Sequence, residues 1–220
     1  MAFGEVGTSL SKIKANSLNL AGTFGFTGTV SGLADETPLV LITETTASSD
    51  STISFTSGID STYKEYMVLY NNIHPSSTST PKFTFQFNAS GGSGFNETIT
   101  STFFKAQHRQ DAVVSGLAYD TGNDLAESTS FQRLGFNLDG SQASDNLSGY
   151  LHLFNPSSST FVKHFLATCN YTYDGDGDEQ YSFNTFVGGY FNTTTAITRL
   201  QFKFESGNID AGDICLYGIN

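Results

Sequence analysis

The sequence predicts an all-β protein, an antiparallel two-sheet sandwich resembling a jelly roll, with an extended N-terminal arm. The chain has 20 Phe, 10 Tyr and 22 Gly, and only 14% of its residues are charged. Half-buried strands favour aromatic and β-branched residues, whereas helix-rich proteins carry more Ala, Leu, Glu and Lys. From Pro38 onward, apolar residues recur with a period of two, and turn residues follow about every 8–15 positions. No helical pattern alternates with these segments, which argues against an α/β fold.

Residues 1–37 are predicted to form an anchoring arm. Ser9–Asn19 fits a short helix capped by Ser9, whereas the overlapping segment Leu18–Val30 fits an extended conformation. Leu18–Val30 alternates apolar and small residues and contains several glycines, so it cannot form a core of its own. We expect it to lie against a neighbouring subunit, and a loosely attached tail is the alternative. Its apolar anchors are Leu18, Leu20, Phe24, Phe26 and Val30.

Residues 38–220 are predicted to form the sandwich, and its first strands are the clearest. Tyr66–Tyr70 is continuously apolar, which predicts a central strand covered on both faces. Phe83, Phe85 and Phe87 alternate with polar residues, which predicts a strand buried on one face only. Two shorter runs precede them, at Val40–Glu44 and Ile53–Ser57.

The later strands are separated by Gly, Asn, Asp or Pro. In Ile197–Phe204, the side chains of Leu200, Phe202 and Phe204 are predicted to face the core. Phe103–His108 and Val113–Tyr119 carry weaker patterns, so the chain is expected to form about nine or ten strands, a number that suits a jelly roll. The remaining segments are Phe131–Leu138, Gly149–Phe154, Phe161–Tyr173, Ser182–Tyr190 and Ile214–Tyr217.

Charge excludes several classes of partner. The formal net charge is −11, whereas non-specific nucleic-acid binding needs cations that replace the counterions of phosphate. The same charge argues against docking on anionic lipid. No basic region followed by an apolar run marks a signal peptide, and no apolar stretch is long enough to span a membrane. The sequence therefore predicts folding in the cytosol, with no nucleic-acid partner and no membrane insertion.

The two cysteines, Cys169 and Cys215, lack the spacing of a zinc site. They are expected to be two buried thiols, and one disulfide is the alternative if two strands bring them together.

The sequence predicts no catalytic centre and no cofactor. The four histidines have no metal-ligand spacing, and no G-x-S-x-G motif occurs. The acidic residues lie mostly at turn positions, such as Asp60, Asp120 and Asp139. Paired carboxylates on adjacent strands could still form a glycosidase, which we keep as a remote alternative.

One acidic segment resembles the start of a calcium loop. Asp174, Asp176 and Asp178 alternate with glycine, and calcium is bound by flexible loops that supply oxygen ligands. An EF-hand is excluded, because Glu179 stands where glycine is needed and Thr185 where glutamate is needed. Two readings stay open, a partial calcium site between subunits and a solvated acidic hairpin.

Three segments, Leu18–Val30, Ile53–Pro75 and Asn208–Ile219, resemble segments of virion structural proteins of tailed bacteriophages, especially marine ones. Asn88–Gly94 resembles the glycine turn found between them, while residues 119–195 are only generically similar. The resemblance implies a homotrimeric particle component with a jelly-roll body, which assembles in the host cytoplasm and contacts other virion proteins. It carries over no catalytic residue.

Two roles follow from the resemblance. In a tail fibre or tail appendage, the arm would attach to the tail and the sandwich would contact the host surface, for example its glycans. In a capsid decoration or head-fibre protein, the arm would attach to the head and stabilise it. The candidate contact loops are Asn72–Pro81 with His74, Gly140–Ser148, and Asp174–Gln180 with the adjacent Tyr173.

Overall fold

The computed structural model describes residues 38–175 and 179–220, and these contain twelve strands and no helix. The predicted anchors Leu18, Leu20, Phe24, Phe26 and Val30 lie outside the described residues. No helix that could span a membrane occurs in the described part of the chain. The strands are β1 (Leu39–Thr46), β2 (Ile53–Phe55), β3 (Glu65–Pro75), β4 (Phe83–Ala89), β5 (Ile99–Arg109), β6 (Ser115–Tyr119), β7 (Gln132–Gly135), β8 (Leu147–Phe154), β9 (Lys163–Gly175), β10 (Glu179–Phe191), β11 (Ile197–Phe204) and β12 (Ile209–Ile219).

The strands form two antiparallel sheets that pack face to face. The larger sheet has the order β1-β12-β3-β8-β9-β10-β5-β6, and the smaller has the order β2-β11-β4-β7. Eight of these strands form four antiparallel pairs, β1–β12, β2–β11, β3–β8 and β4–β7. In chain order, the first of these eight strands pairs with the last, the second with the second last, and so on inwards. A long hairpin that wraps into two sheets gives this pattern of pairs. This is the jelly-roll arrangement that the sequence predicted.

The other four strands extend the larger sheet beyond β8. The β9–β10 hairpin pairs with β8 on one side and β5 on the other, and β6 forms the edge. The loop that follows β6 covers the inner side of β5. Ser101 donates its backbone N–H to the Leu125 carbonyl and its hydroxyl to Oε1 of Gln132 (2.9 and 2.5 Å).

Aromatic side chains fill the space between the sheets. Phe83, Phe85 and Phe202 are fully buried, as predicted, and the rings of Phe83 and Phe202 stack with their centroids 5.6 Å apart. Phe85 meets Phe165 of the opposite sheet edge-on at 5.2 Å. Burying a phenylalanine side chain stabilises a fold by about 1.5–3 kcal/mol. These rings therefore hold the two sheets together.

The prediction that β4 is buried on one face only was wrong. Thr84 and Gln86, on its polar face, have no exposed surface. The Gln86 side-chain amide lies 3.0, 3.3 and 3.0 Å from the carbonyl oxygens of Glu97, Thr129 and Ser130. Two connecting segments thus cover this face, and hydrogen bonds compensate for the buried amide.

The prediction for Tyr66–Tyr70 was also wrong in part. The segment lies in β3, which is flanked by β12 and β8, so it is a central strand. However, only Tyr66, Val68 and Tyr70 are buried, whereas Met67 and Leu69 are partly exposed on the outer face. The continuous apolar run therefore marks a strand whose outer face is apolar yet uncovered.

The two ends of the described sandwich lie side by side. β1 begins beside the end of β12, and Asn220 donates its backbone N–H to the Pro38 carbonyl at 3.2 Å. Both lie near Glu65, the first residue of β3. The eleven residues of β3 then run roughly 35 Å to the opposite end of the sheet.

Candidate functional site

Two of the three predicted contact loops meet at one end of the sandwich, beside the described strands that flank the third. Asn72–Pro81 and Gly140–Ser148 are joined by a hydrogen bond from the Gly140 N–H to the Ser77 carbonyl (3.0 Å). The β9–β10 hairpin lies beside them, because Thr172 Oγ1 donates to Asp145 Oδ1 at 3.1 Å. This loop cluster is at the end of β3 opposite Pro38.

Two of the predicted contact residues serve to organise this end. The His74 ring has Nε2 3.2 Å from the Gln142 carbonyl oxygen and Nδ1 3.9 Å from Oδ2 of Asp210. Only 14% of its side chain is exposed, so most of the ring is covered by neighbouring loops. Tyr173 is half-buried and packs against Tyr181 across the hairpin, with ring centroids 5.9 Å apart.

The predicted calcium ligands cannot be placed in this cluster. Asp176 and Asp178 lie outside the described residues, as does the side chain of Asp174. Elsewhere in the described ranges, no group of three His, Cys, Asp or Glu residues could hold a metal ion.

The cysteines are separate buried thiols, and the disulfide alternative was wrong. Cys169 lies in β9 and Cys215 in β12, with β3 and β8 between them. Three strand spacings amount to about 14 Å, well beyond the reach of a disulfide. Burial raises the pKa of the Cys169 thiol to about 12, so this sulfur remains protonated and unreactive at neutral pH.

The turn aspartates have structural roles. The carboxylates of Asp60, Asp120 and Asp139 each accept a backbone N–H two residues ahead, at 2.7, 3.0 and 2.8 Å. The hydrogen bond from the Thr62 backbone lowers the pKa of Asp60. A general acid needs a raised pKa, so Asp60 is unsuited to that role.

Sequence reasoning did not find the most unusual surface of the molecule. On the outer face of β5, β6, β8, β9 and β10 in the larger sheet, six large apolar side chains are between 41% and 73% exposed. We call this surface the apolar band. It consists of Phe104, Leu117, Tyr119, Tyr150, Leu166 and Phe186.

Strand register brings the band together. Tyr119 pairs with Phe104, and Phe104 pairs with Phe186. Thr168 then lies between Phe186 and Tyr150, so one row crosses five strands from β6 to β8. The Phe104 and Tyr119 rings pack edge-on with their centroids 5.2 Å apart.

The band lies in a region without formal charge. Successive strand residues alternate between faces, so the register identifies the outward side chains of β5, β6, β8, β9 and β10. Within the described residues, Thr100–His108, Ser115–Tyr119, Ser148–Phe154, His164–Thr172 and Gln180–Tyr190, none of these side chains is Asp, Glu, Lys or Arg. Charge depletion and aromatic enrichment are typical of the centre of a protein–protein interface.

A hollow lies within the band. Its volume is about 260 Å³, and its lining includes Phe104, Tyr150, Leu166, Phe186 and Gly188. Gly188 lies between Thr102 of β5 and Leu166 of β9, where its missing side chain leaves space. A cavity of roughly 150 Å³ accommodates benzene, so the hollow has room for one apolar side chain.

Comparison of the chain with family models, with curated proteins and with solved structures found no match. The function of the protein is therefore inferred from its sequence, its fold and two surfaces, the loop cluster and the apolar band.

Proposed function

We propose that this protein is a non-enzymatic virion structural protein of a tailed bacteriophage, a homotrimeric tail fibre or tail appendage. It attaches to the particle by residues 1–37 and contacts the host surface by the sandwich. The sequence resemblance suggests this role. The apolar band is the structural observation that carries it, because so large an uncharged apolar surface is typical of a protein that assembles with others.

The positions of Pro38 and the loop cluster at opposite ends of the sandwich support this role. Pro38, where the chain enters the sandwich, and the loop cluster lie at opposite ends of β3. A protein held through the segment before Pro38 can therefore present the loop cluster outward. The loops are rich in Ser and also contain Asn and Gly, and these residues supply adaptable hydrogen bonds for a host glycan.

A capsid decoration protein is the second candidate. The observation that favours it is the lack of a repetitive shaft in the sequence, since longer tail fibres need one. In this case, residues 1–37 attach to the head and the sandwich covers its surface. A glycan hydrolase remains the third, remote candidate.

The copy number per particle tests the proposal. Quantitative mass spectrometry of purified particles gives the ratio of this protein to the major capsid subunit. A small multiple of three supports the tail role, and hundreds of copies support decoration. Absence from the particles overturns a virion role altogether.

The non-enzymatic part of the proposal needs its own experiment. The pure protein is incubated with envelope polysaccharide of the host, and released oligosaccharide is measured. Binding without release is expected for a tail protein. Release that is abolished by replacing one carboxylate would overturn the proposal in favour of a hydrolase.

A further inference from the structure

The apolar band is large enough to supply one side of a stable interface. Its six side chains are roughly half exposed, and large aromatic residues each bury about 150–250 Å² when covered. The band therefore offers on the order of 500 Å² of apolar surface. A standard interface buries about 800 Å² per partner, including a polar rim.

Charge favours a second copy of this chain as the partner. Each copy carries a formal net charge of −11, so two copies repel each other wherever their acidic surfaces approach. Within the described segments named above, the outward side chains of the five strands from β6 to β8 include no Asp, Glu, Lys or Arg, so this surface avoids the repulsion. It also offers no ion pair to a charged partner.

The edge strand of the band, β6, is open to solvent. All five residues of β6 are exposed, and the strand contains neither a proline nor a charged residue. Natural proteins protect such edges, because an open apolar edge promotes aggregation. Leu117, at the centre of β6, is 73% exposed.

We infer that the apolar band is the contact surface between copies of this chain, with Leu117 of one copy inserted into the hollow above Gly188 of the next. Leu117 lies on the edge strand β6, at one side of the outer face, whereas the hollow lies over β5, β9 and β10 towards the middle of that face. The contact therefore joins two different parts of the band, and such head-to-tail contacts generate closed rings when the rotation closes. The inference rests on the proposed function for the number of copies, three, and locates their contact.

The first experiment measures the mass of the full-length protein by light scattering during size exclusion, over a dilution series. Leu117→Asp places a charge in the contact and is expected to weaken assembly by about 30-fold or more. Val113→Asp is the matched control, because Val113 is 72% exposed but lies outside the band in the β5–β6 turn. This variant should assemble like the wild type.

The second experiment does not depend on how well the Asp variant folds. Full-length Leu117→Cys and Thr102→Cys proteins are prepared separately and then mixed under mild oxidation. Thr102 lines the hollow, so a disulfide between the two variants is expected in the mixture. Val113→Cys mixed with Thr102→Cys is the control and should give much less cross-linked product.

The outcomes separate this inference from the proposed function. A trimer that Leu117→Asp leaves intact, with no specific cross-link, overturns the location of the contact and leaves the virion role standing. A wild-type protein that stays monomeric at all concentrations overturns the inference, even if the protein is found in particles. A trimer that is lost in Leu117→Asp and gives the specific cross-link supports it, even if particles lack the protein.

Discussion

The outer faces of the two sheets differ although both point away from the same core. On the smaller sheet, Arg133 Nε bonds Glu205 Oε1 at 2.6 Å, and Lys203 Nζ lies 4.1 Å from the centroid of the Phe131 ring. On the larger sheet, the apolar band fills the corresponding position with exposed rings and aliphatic side chains. Side chains on the smaller sheet thus form ion pairs and cation–π contacts with one another. The apolar side chains of the larger sheet remain exposed to solvent in a single copy, and we therefore assign this face to assembly.

The largest expected loss of stability comes from a substitution in the core, and the same substitution in the apolar band should cost much less. Phe85→Ala should lower the free energy of unfolding by about 3–5 kcal/mol, because Phe85 is fully buried between the sheets. Phe104→Ala is the matched control, since Phe104 is 41% exposed on the outer face. Chemical denaturation at low protein concentration measures both. Equal losses would show that the band is part of the folded core and would remove the contrast between the faces.

A second substitution concerns the covered part of the smaller sheet. Gln86→Leu should destabilise the protein by about 1–3 kcal/mol, because it removes the buried amide that bonds the carbonyl oxygens of Glu97 and Ser130. Gln201 is partly exposed on the same sheet and bonds only the exposed Ser54 hydroxyl, so Gln201→Leu should change stability by about 0.5 kcal/mol or less. If Gln86→Leu were neutral in thermal and chemical unfolding, the covering segments would not depend on this amide.

The charged outer face predicts a smaller, salt-sensitive effect. Arg133→Met removes the pair with Glu205 and the hydrogen bond to the Gly122 carbonyl, and it should cost about 1 kcal/mol at low ionic strength. Added salt should reduce this cost, because the side chains are partly exposed. The assembly of the wild-type protein should instead persist in high salt, since the band carries no formal charge. Dissociation by salt would contradict an uncharged contact.

The smallest effect is a dependence on pH in the turn after β2. The pKa of Asp60 is lowered from 3.8 in the folded state, so its stabilising contribution is present above 3.8 and is lost as the pH falls through the folded value. The stability gap between the wild type and Asp60→Asn should therefore narrow on acidification. Unfolding measured between pH 7 and pH 2 tests this. The neighbouring Ser61→Ala variant should show a gap that does not change with pH.

Much of the fold could be predicted from the sequence, because strand periodicity is a local signal. The alternation in Phe83–Phe87 and in Leu200–Phe204 correctly identified the side chains that face the core between the sheets. What lies on the other face depends on segments distant in sequence. Gln86 is polar, yet it is covered by residues 97 and 129–130, and no pattern in the sequence around Gln86 predicts these contacts.

The apolar band could have been found from a pattern that sequence reasoning passed over. Each of its strands β5, β8, β9 and β10 contains two consecutive large apolar residues, and alternation requires one of each pair to face outward. The pairs are Phe103–Phe104, Tyr150–Leu151, Phe165–Leu166 and Phe186–Val187. The sequence alone could not bring them together on one face, because these strands pair as β8-β9-β10-β5-β6, out of chain order.

The place where the chain enters and leaves the sandwich determines how it bears mechanical load. A pull between Pro38 and the loop cluster runs along the strands, and the interstrand hydrogen bonds, which lie across that direction, share the shear together. A pull between Pro38 and Asn220 instead peels β1 from β12 one bond at a time. The same fold is thus strong against traction on its loops and weak against separation of its two neighbouring ends.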